Sequence, residues 1–125
     1  MQVRELVQGT PAGCAPSTTV TQAAQMMVDL GIGSLAVYKD GGMIGIFTER
    51  DVVRAAADTG DTDSEAVDRW MTPDPDTVDV EVEIDDAAAW MLAAGYRHLP
   101  ITENGELVGV ASMKDVLWGV VEEMS

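Results

Sequence analysis

The feature that most constrains this chain is an internal repeat with a period of 64 residues and no insertion or deletion. Residues 3–54 align on residues 67–118 with 11 identities in 52 positions, and many of the other pairs are conservative. A repeat of this kind determines the architecture before any secondary-structure argument is made. The chain is therefore predicted to contain two copies of one structural unit.

The length of the chain limits how the two copies are organised. At 125 residues the chain suffices for one domain of ordinary size, whereas each copy alone is smaller than most independent cores. We predict repeat one at residues 1–57, a polar linker at residues 58–64 and repeat two at residues 65–125, with both repeats in one module. The linker is rich in turn-forming residues.

Both copies carry the same succession of secondary-structure signals. Each begins with a short helix and a brief strand, followed by a helix that ends at a glycine, a hairpin of two strands and a last helix. For repeats one and two in turn, these signals are the strand at Cys14 and Val78, the helix cap at Thr21 and Asp85, the helix-ending Gly31 and Gly95, the hairpin Gly41 and Gly105, and the last helix from Thr48 and Ser112. They predict a mixed α/β fold of two pseudo-symmetric βαββα repeats.

Charge and composition exclude several classes of partner. The formal net charge of −15 repels nucleic acids and anionic membrane surfaces. No apolar stretch approaches the roughly 20 residues of a membrane span, and the first residues do not resemble a signal peptide. The single cysteine, Cys14, offers neither an internal disulfide nor a zinc cluster. We expect a cytoplasmic protein without nucleic-acid or membrane partners.

Two predicted helices are apolar nearly all round. They comprise AAAWMLAAG from Ala87 and VLWGVV from Val116, and helices of this type are usually covered on both sides. In a small protein the second cover can be another subunit, which predicts a homodimer with Trp90, Met91, Leu117 and Trp118 near its interface. Wholly internal packing of these helices is the alternative.

The two strand-to-helix junctions, GIFTERD at 45–51 and GVASMKD at 109–115, carry the residues suited to chemistry. Each has a glycine that lets a ligand or backbone approach, then a hydroxyl and an aspartate with the spacing of a helix cap. Capping does not explain the cation between them, Arg50 or Lys114, because a positive charge there opposes the helix dipole. A cation, a hydroxyl and free helix N–H groups suit a phosphate, and the aspartate suits both hydroxyls of a ribose. The junctions therefore predict a nucleotide site.

The motif Gly-h-h-[Thr/Ser]-x-x-Asp, with h apolar, thus occurs twice in register, and RHLPI at 97–101 precedes the second copy. In this respect the chain resembles a tandem pair of cystathionine β-synthase-type (CBS) domains, the Bateman module, over almost its whole length. The resemblance implies two sheets packed about a pseudo-twofold axis. It also implies clefts between the repeats that hold AMP, ADP or ATP, with NAD(H), S-adenosylmethionine or cyclic dinucleotides as alternatives. Some related modules have no known ligand.

The resemblance also implies roles for individual residues. It places Asp51 and Asp115 on ribose hydroxyls, Thr48, Ser112, Arg50 and Lys114 near phosphate, and Val78 and Ile101 around the base.

The two copies differ at several of these positions. Repeat two has Arg97, His98 and Pro100 where repeat one has Gly33, Ser34 and Ala36. A phosphate in repeat two would therefore meet an additional cation, so we predict that repeat two provides the main site. Phe47 against Ala111, and Arg54 against Trp118, also break the symmetry.

No residues in the sequence indicate catalysis or a metal. No Ser/His/Asp or Cys/His arrangement is recognisable, and the lone His98 lacks the further ligands that a metal site needs. Cys14 aligns with apolar Val78 and is interpreted as a small buried residue. The sequence thus predicts a non-enzymatic, ligand-sensing regulatory module read by a separate protein. The alternative is a ligand-free scaffold that dimerises or docks on an enzyme or transporter.

Overall fold

Both repeats fold into similar successions of elements in the computed structural model, which describes residues 1–125; repeat two begins with an α-helix instead of a 3-10 helix and has one additional short strand. Repeat one comprises a 3-10 helix (Val3–Leu6), β1 (Gly13–Cys14), α1 (Val20–Leu30), β2 (Ser34–Lys39), β3 (Gly42–Thr48) and α2 (Glu49–Asp58). Repeat two comprises α3 (Val67–Trp70), β4 (Thr72–Pro73), β5 (Val78–Asp79), α4 (Ile84–Ala94), β6 (His98–Glu103), β7 (Glu106–Ser112) and α5 (Met113–Glu123). The predicted mixed α/β architecture is confirmed.

The chain packs as two compact units whose limits differ from those of the sequence repeats. One unit consists of residues 12–75 and is called the central-sequence unit; the other consists of residues 1–11 and 76–125 and is called the terminal-sequence unit. The first residues of each repeat thus belong to the unit that holds the strands of the other repeat.

The central-sequence unit contains a four-stranded sheet in the order β1-β2-β3-β4. β1 is parallel to β2, and the other pairs are antiparallel. The β2–β3 hairpin turns at Asp40 and Gly41, which have φ of 53° and 81°, as a two-residue hairpin of the right twist requires. Leu35 and Phe47 face each other across this hairpin and lie, fully buried, in the core.

The terminal-sequence unit contains a three-stranded sheet in the order β5-β6-β7. β5 is parallel to β6, and β6 is antiparallel to β7. The hairpin turns at Asn104 and Gly105, with φ of 52° and 80°, so the two hairpins use the same turn geometry. Leu99 and Ile101 of β6 are completely buried in the core of this unit.

The leading segments of the two repeats are exchanged in an equivalent way. Val3 is fully buried in the core of the terminal-sequence unit, and its N–H donates to the carbonyl of Val82 at 2.8 Å. Val67, its repeat equivalent, is fully buried in the core of the central-sequence unit and donates to Thr18 O at 2.9 Å. Each core is therefore completed by a segment from the other repeat.

The helices α1 and α4 begin earlier than the sequence predicts. Thr19 caps α1, its hydroxyl accepting from the N–H of Gln22 at 3.1 Å, and Glu83 precedes α4. The prediction of Thr21 and Asp85 as caps is wrong, because the fully buried residues that follow Thr19 and Glu83 form the first helical positions. Both helices end, as predicted, at a left-handed glycine.

The helices α4 and α5 pack on each other and leave part of their apolar surface exposed. Leu92, Leu117, Trp118 and Val121 are 49–69% exposed. Met91, predicted near a subunit interface, is instead completely buried in the core of its own unit, because it lies on the inner side of α4. No helix has both the length and the apolar character needed to cross a membrane.

Candidate functional site

The repeat-two motif lies where β7 passes into α5. The backbone N–H of Ser112 donates to Oδ2 of Asp115 at 2.9 Å, and the N–H of Asp115 donates to Oγ of Ser112 at 3.1 Å. This reciprocal pair is a capping box, as the spacing predicts. The remaining oxygen of Asp115, Oδ1, accepts no hydrogen bond from the chain, and the residue is exposed. One carboxylate oxygen is therefore open to a ligand.

Two cations accompany this carboxylate. Lys114 lies in the first turn of α5, and Arg97 precedes β6 with its carbonyl accepting from the N–H of Met113 at 2.9 Å. Both side chains are exposed, and neither forms an ion pair within the chain. Pairing of β6 with β7 places half-buried His98 opposite Ser112. The structure thus brings Arg97, His98, Ser112, Lys114 and Asp115 to one end of the terminal-sequence unit.

The backbone donors at the start of α5 are largely used within the fold. The N–H of Met113 donates to Arg97 O, and the N–H of Asp115 donates to the capping hydroxyl. These two N–H groups are therefore not free for a phosphate, since the hairpin and the capping box already use them. A phosphate at this position would depend mainly on the side-chain cations.

The repeat-one motif differs in the state of its aspartate. Asp51 is 5% exposed, and its Oδ2 accepts from the N–H and the hydroxyl of Thr48 at 2.9 and 3.2 Å. Its Oδ1 accepts from the guanidinium of Arg54 at 3.0 Å. Both oxygens of this carboxylate are thus engaged by the chain. Arg50 lies in the first turn of α2, exposed and without an ion pair.

Trp70 holds the Arg54 side chain in place. The guanidinium carbon of Arg54 lies 5.7 Å from the centre of the Trp70 ring, and that of Arg69 lies 5.3 Å from the same ring. Cations at this distance are attracted by the electrons of an indole face. Trp70 belongs to α3, the segment from repeat two that completes the central-sequence unit. The Trp70 ring and the two arginines beside it make the surroundings of the repeat-one motif chemically different from those of the repeat-two motif.

An acidic side chain occupies the surroundings of Gly33 in repeat one. A Cβ built on this glycine would lie 3.3 Å from the carboxyl carbon of Glu49. The equivalent positions in repeat two are Arg97 and Met113. A phosphate would therefore meet a carboxylate in repeat one and a guanidinium in repeat two. The difference between Gly33 and Arg97 was expected from the sequence, whereas the role of Glu49 was not, although Glu49 aligns with Met113.

The glycines of the two motifs, Gly45 and Gly109, lie against other residues of the chain rather than beside a ligand position. A Cβ on Gly45 would collide with the Met71 side chain and would lie 3.0 Å from the carbonyl oxygen of Thr72. A Cβ on Gly109 would lie 3.2 Å from Cγ2 of Val7. Val7 and Met71 are repeat equivalents. Both glycines therefore allow close approach of another segment of the chain, through its side chains as well as its backbone.

The two residues expected around a base lie on neighbouring strands. Val78 of β5 is paired with Ile101 of β6, but the Ile101 side chain is completely buried in the core of its unit. Ile101 as a whole residue, backbone included, is 0% exposed, so it offers no surface to a ligand in this structure. Pro100 is also buried and, because side chains alternate along a strand, points to the opposite face of the sheet from Ile101.

Groups that would suit other chemistry are not assembled in the structure. No three His, Cys, Asp or Glu residues are placed to hold a metal ion. Cys14 is half-buried, and this burial raises the pKa of its thiol, which opposes formation of the nucleophilic thiolate. A hydrogen bond with Thr18 offsets part of that effect.

Comparison with known proteins identifies the fold and the family. The model of the CBS domain family matches residues 3–58 and 66–122. An uncharacterised 17.7 kDa protein of Acidianus ambivalens is 42% identical over 103 residues, which cover 81% of this chain and 62% of that protein. The chain thus spans less than two thirds of that relative.

Solved structures share the architecture over nearly the whole chain. The crystal structure of a CBS-domain-containing protein from Agrobacterium tumefaciens has a TM-score of 0.90 at 30% identity, covering 96% of this chain and 99% of that one. CBSX2 in complex with AMP has a TM-score of 0.84 at 23% identity, covering 99% of each chain. A CBS domain pair in complex with 5′-methylthioadenosine and S-adenosyl-L-methionine has a TM-score of 0.86 at 18% identity, covering 98% of each chain. With two matches to the family model in tandem, this chain belongs to the CBS domain family.

Proposed function

We propose that the chain is a ligand-sensing regulatory module that binds an adenine nucleotide, AMP, ADP or ATP, at the motif of its second repeat. The observation that carries this proposal is the carboxylate of Asp115, which its capping box holds in place while leaving Oδ1 without a donor. A fixed carboxylate with an open oxygen is suited to accept hydrogen bonds from the cis hydroxyls of a ribose.

The proposed phosphate contacts depend on the charge around Asp115. Lys114 and Arg97 are exposed and have no acidic partner in the chain, although acidic residues outnumber basic ones by 22 to 7. Cations left unpaired in so acidic a protein favour an anionic ligand. Lys114 would supply a point charge, and Arg97 would supply a guanidinium for two-point contact with phosphate oxygens.

Solved structures that share the fold support the ligand class. CBS-domain structures with this fold are known in complex with AMP, and with 5′-methylthioadenosine and S-adenosyl-L-methionine; all three ligands contain adenosine. We propose that ligand binding in this chain biases its conformation, and that a separate cytoplasmic protein responds to the change. No catalytic step is part of the proposal.

A ligand screen tests this function. AMP, ADP, ATP, NAD, S-adenosylmethionine and a cyclic dinucleotide are each added to the protein, and the melting temperature is recorded. A ligand that prefers the folded state raises the melting temperature by mass action. We expect a rise with at least one adenylate, and a smaller one with its 2′,3′-dideoxy analogue, which keeps base and phosphate. The absence of any response would contradict the proposal and favour a ligand-free scaffold.

We also propose that the chain forms a homodimer through the exposed apolar surface of α4 and α5. Leu117, Trp118 and Val121 of α5 are 49–59% exposed, and Leu92 of α4 is 69% exposed. Two equivalent positions in the other repeat, Val28 and Val53, are exposed as well. A second copy of the chain would offer a matching apolar surface in a self-complementary dimer.

The dimer is tested by substitution on α5. We expect Leu117→Glu to shift the protein to monomer at micromolar concentration, because the change places a charge in an apolar contact. Glu122→Lys, at an exposed position of the same helix, is the control for altered charge. The measurement is molar mass by light scattering across a dilution series. A wild-type protein that is monomeric at every concentration would contradict the dimer.

A further inference from the structure

We propose that the Arg54 guanidinium, by bonding to the Asp51 carboxylate, blocks the ribose contact at the repeat-one motif. Adenosine-containing ligands then bind first at repeat two. This inference rests on the proposed function and names the residue that makes the two motifs unequal. It concerns a contact inside the central-sequence unit.

The state of the Asp51 carboxylate is the first support. Its two oxygens accept three hydrogen bonds, two from Thr48 and one from Arg54. An ionised carboxylate has about four acceptor positions, so little capacity remains for two ribose hydroxyls. The N–H of Thr48 donates to its aspartate as the N–H of Ser112 does in repeat two, whereas the Thr48 hydroxyl donates to Asp51 and the Ser112 hydroxyl accepts from the N–H of Asp115. The contact with Arg54 has no equivalent and engages Oδ1, the oxygen that is open in Asp115.

The surroundings of Arg54 hold it in this position. Its side chain is 55% exposed, yet its guanidinium lies over the Trp70 ring at 5.7 Å and bonds to Asp51 at 3.0 Å. In repeat two, the equivalents of Arg54 and Trp70 are Trp118 and Leu6. Repeat two therefore lacks both the competing cation and the aromatic ring that orients it.

The charge near the proposed phosphate position also favours ligand binding at repeat two over repeat one. Glu49 lies against Gly33, whereas repeat two has Arg97 in place of that glycine. A phosphate at repeat one would therefore meet the Glu49 carboxylate where repeat two offers a guanidinium, with Arg50 left as the counterpart of Lys114. Adenosine, which has a ribose but no phosphate, isolates the contribution of Arg54 from that of Glu49.

The test removes the guanidinium while keeping an apolar side chain against Trp70. In an Asp115→Asn background, which suppresses repeat two, Arg54→Met is expected to tighten adenosine binding by about three- to fivefold, the upper part of the range for release of a half-exposed ion pair. Isothermal titration calorimetry measures the dissociation constant. Arg69→Met in the same background is the matched control, because Arg69 contacts the same ring but not Asp51. We expect it to leave the constant unchanged.

The reciprocal change places an arginine in repeat two. In the wild-type background, Trp118→Arg is expected to weaken adenosine binding by about threefold or more, since the new guanidinium would compete for Asp115. Trp118→Met controls for loss of the indole and is expected to preserve binding.

The outcomes separate this inference from the proposed function. Normal binding to the wild-type protein, with no response to Arg54→Met beyond that of Arg69→Met, overturns the role of Arg54 alone. Failure of the wild-type protein to bind either adenosine or AMP overturns the proposed function and this inference together. Equally tighter binding by Arg54→Met and Arg69→Met also overturns the role of Arg54, since the effect would then follow from a general loss of positive charge.

Discussion

Asp115→Asn is expected to weaken AMP binding by about tenfold or more, because a hydrogen bond to a charged group contributes about 1.5–3 kcal/mol. The substitution keeps the shape of the side chain and an oxygen able to accept from the N–H of Ser112. It removes the charged acceptor offered to the ribose. The free energy of unfolding of the ligand-free protein should fall by less than about 1 kcal/mol. Calorimetric titration and denaturant unfolding measure the two effects.

Asp86→Asn is the matched control for this variant. Asp86 is exposed and lies in the first turn of α4, so its replacement makes the same charge change at another helix start of the same unit. Loss of a negative charge alone should slightly favour an anionic ligand. Weaker binding that is confined to Asp115→Asn would therefore identify a direct contact. An unchanged dissociation constant in that variant would refute the role of Asp115.

Val67→Ala should lower the free energy of unfolding by about 2 kcal/mol, since it removes fully buried methyl groups and leaves a cavity. The location of the effect is the more specific result. Val67 belongs to repeat two in the sequence but completes the core of the central-sequence unit. Amide hydrogen exchange should therefore accelerate in β2 and β3, which carry repeat-one sequence.

Val3→Ala provides the reciprocal experiment. Val3 belongs to repeat one but is buried in the core of the terminal-sequence unit, so faster exchange is expected in β6 and β7. Val53→Ala, at a position 66% exposed, should change stability by less than about 0.5 kcal/mol. If each valine variant instead loosened the strands of its own repeat, the segment exchange would be wrong.

Local signals in the sequence were sufficient for most of the secondary structure. The glycines at 31, 41, 95 and 105 were predicted at helix ends and hairpin turns, and all four have a positive φ. The capping boxes of Thr48 and Ser112 were also predicted from spacing. These features depend on residues within about four positions of each other, so a single stretch of sequence contains the whole interaction.

The candidate site was predicted in part. The motif residues of repeat two lie near one another, because a hairpin and the following helix bring them together locally. The different state of Asp51 was not visible beyond the mismatch of Arg54 with Trp118. The ion pair itself joins residues three positions apart in α2, but the Trp70 ring that Arg54 also contacts lies 16 positions further along the chain and reaches Arg54 only through tertiary packing.

The sequence by itself determined that this chain consists of two copies of one CBS-type unit, because an ungapped repeat with matching turns and caps specifies the same local structure twice. Only the tertiary structure decided which core each leading segment completes. The leading segments that begin at Val3 and Val67 have the same apolar pattern. Either segment is therefore locally compatible with both cores. Which core each segment completes depends on burial and on hydrogen bonds between residues far apart in the sequence, such as that from Val3 to Val82. A local sequence pattern does not specify such contacts.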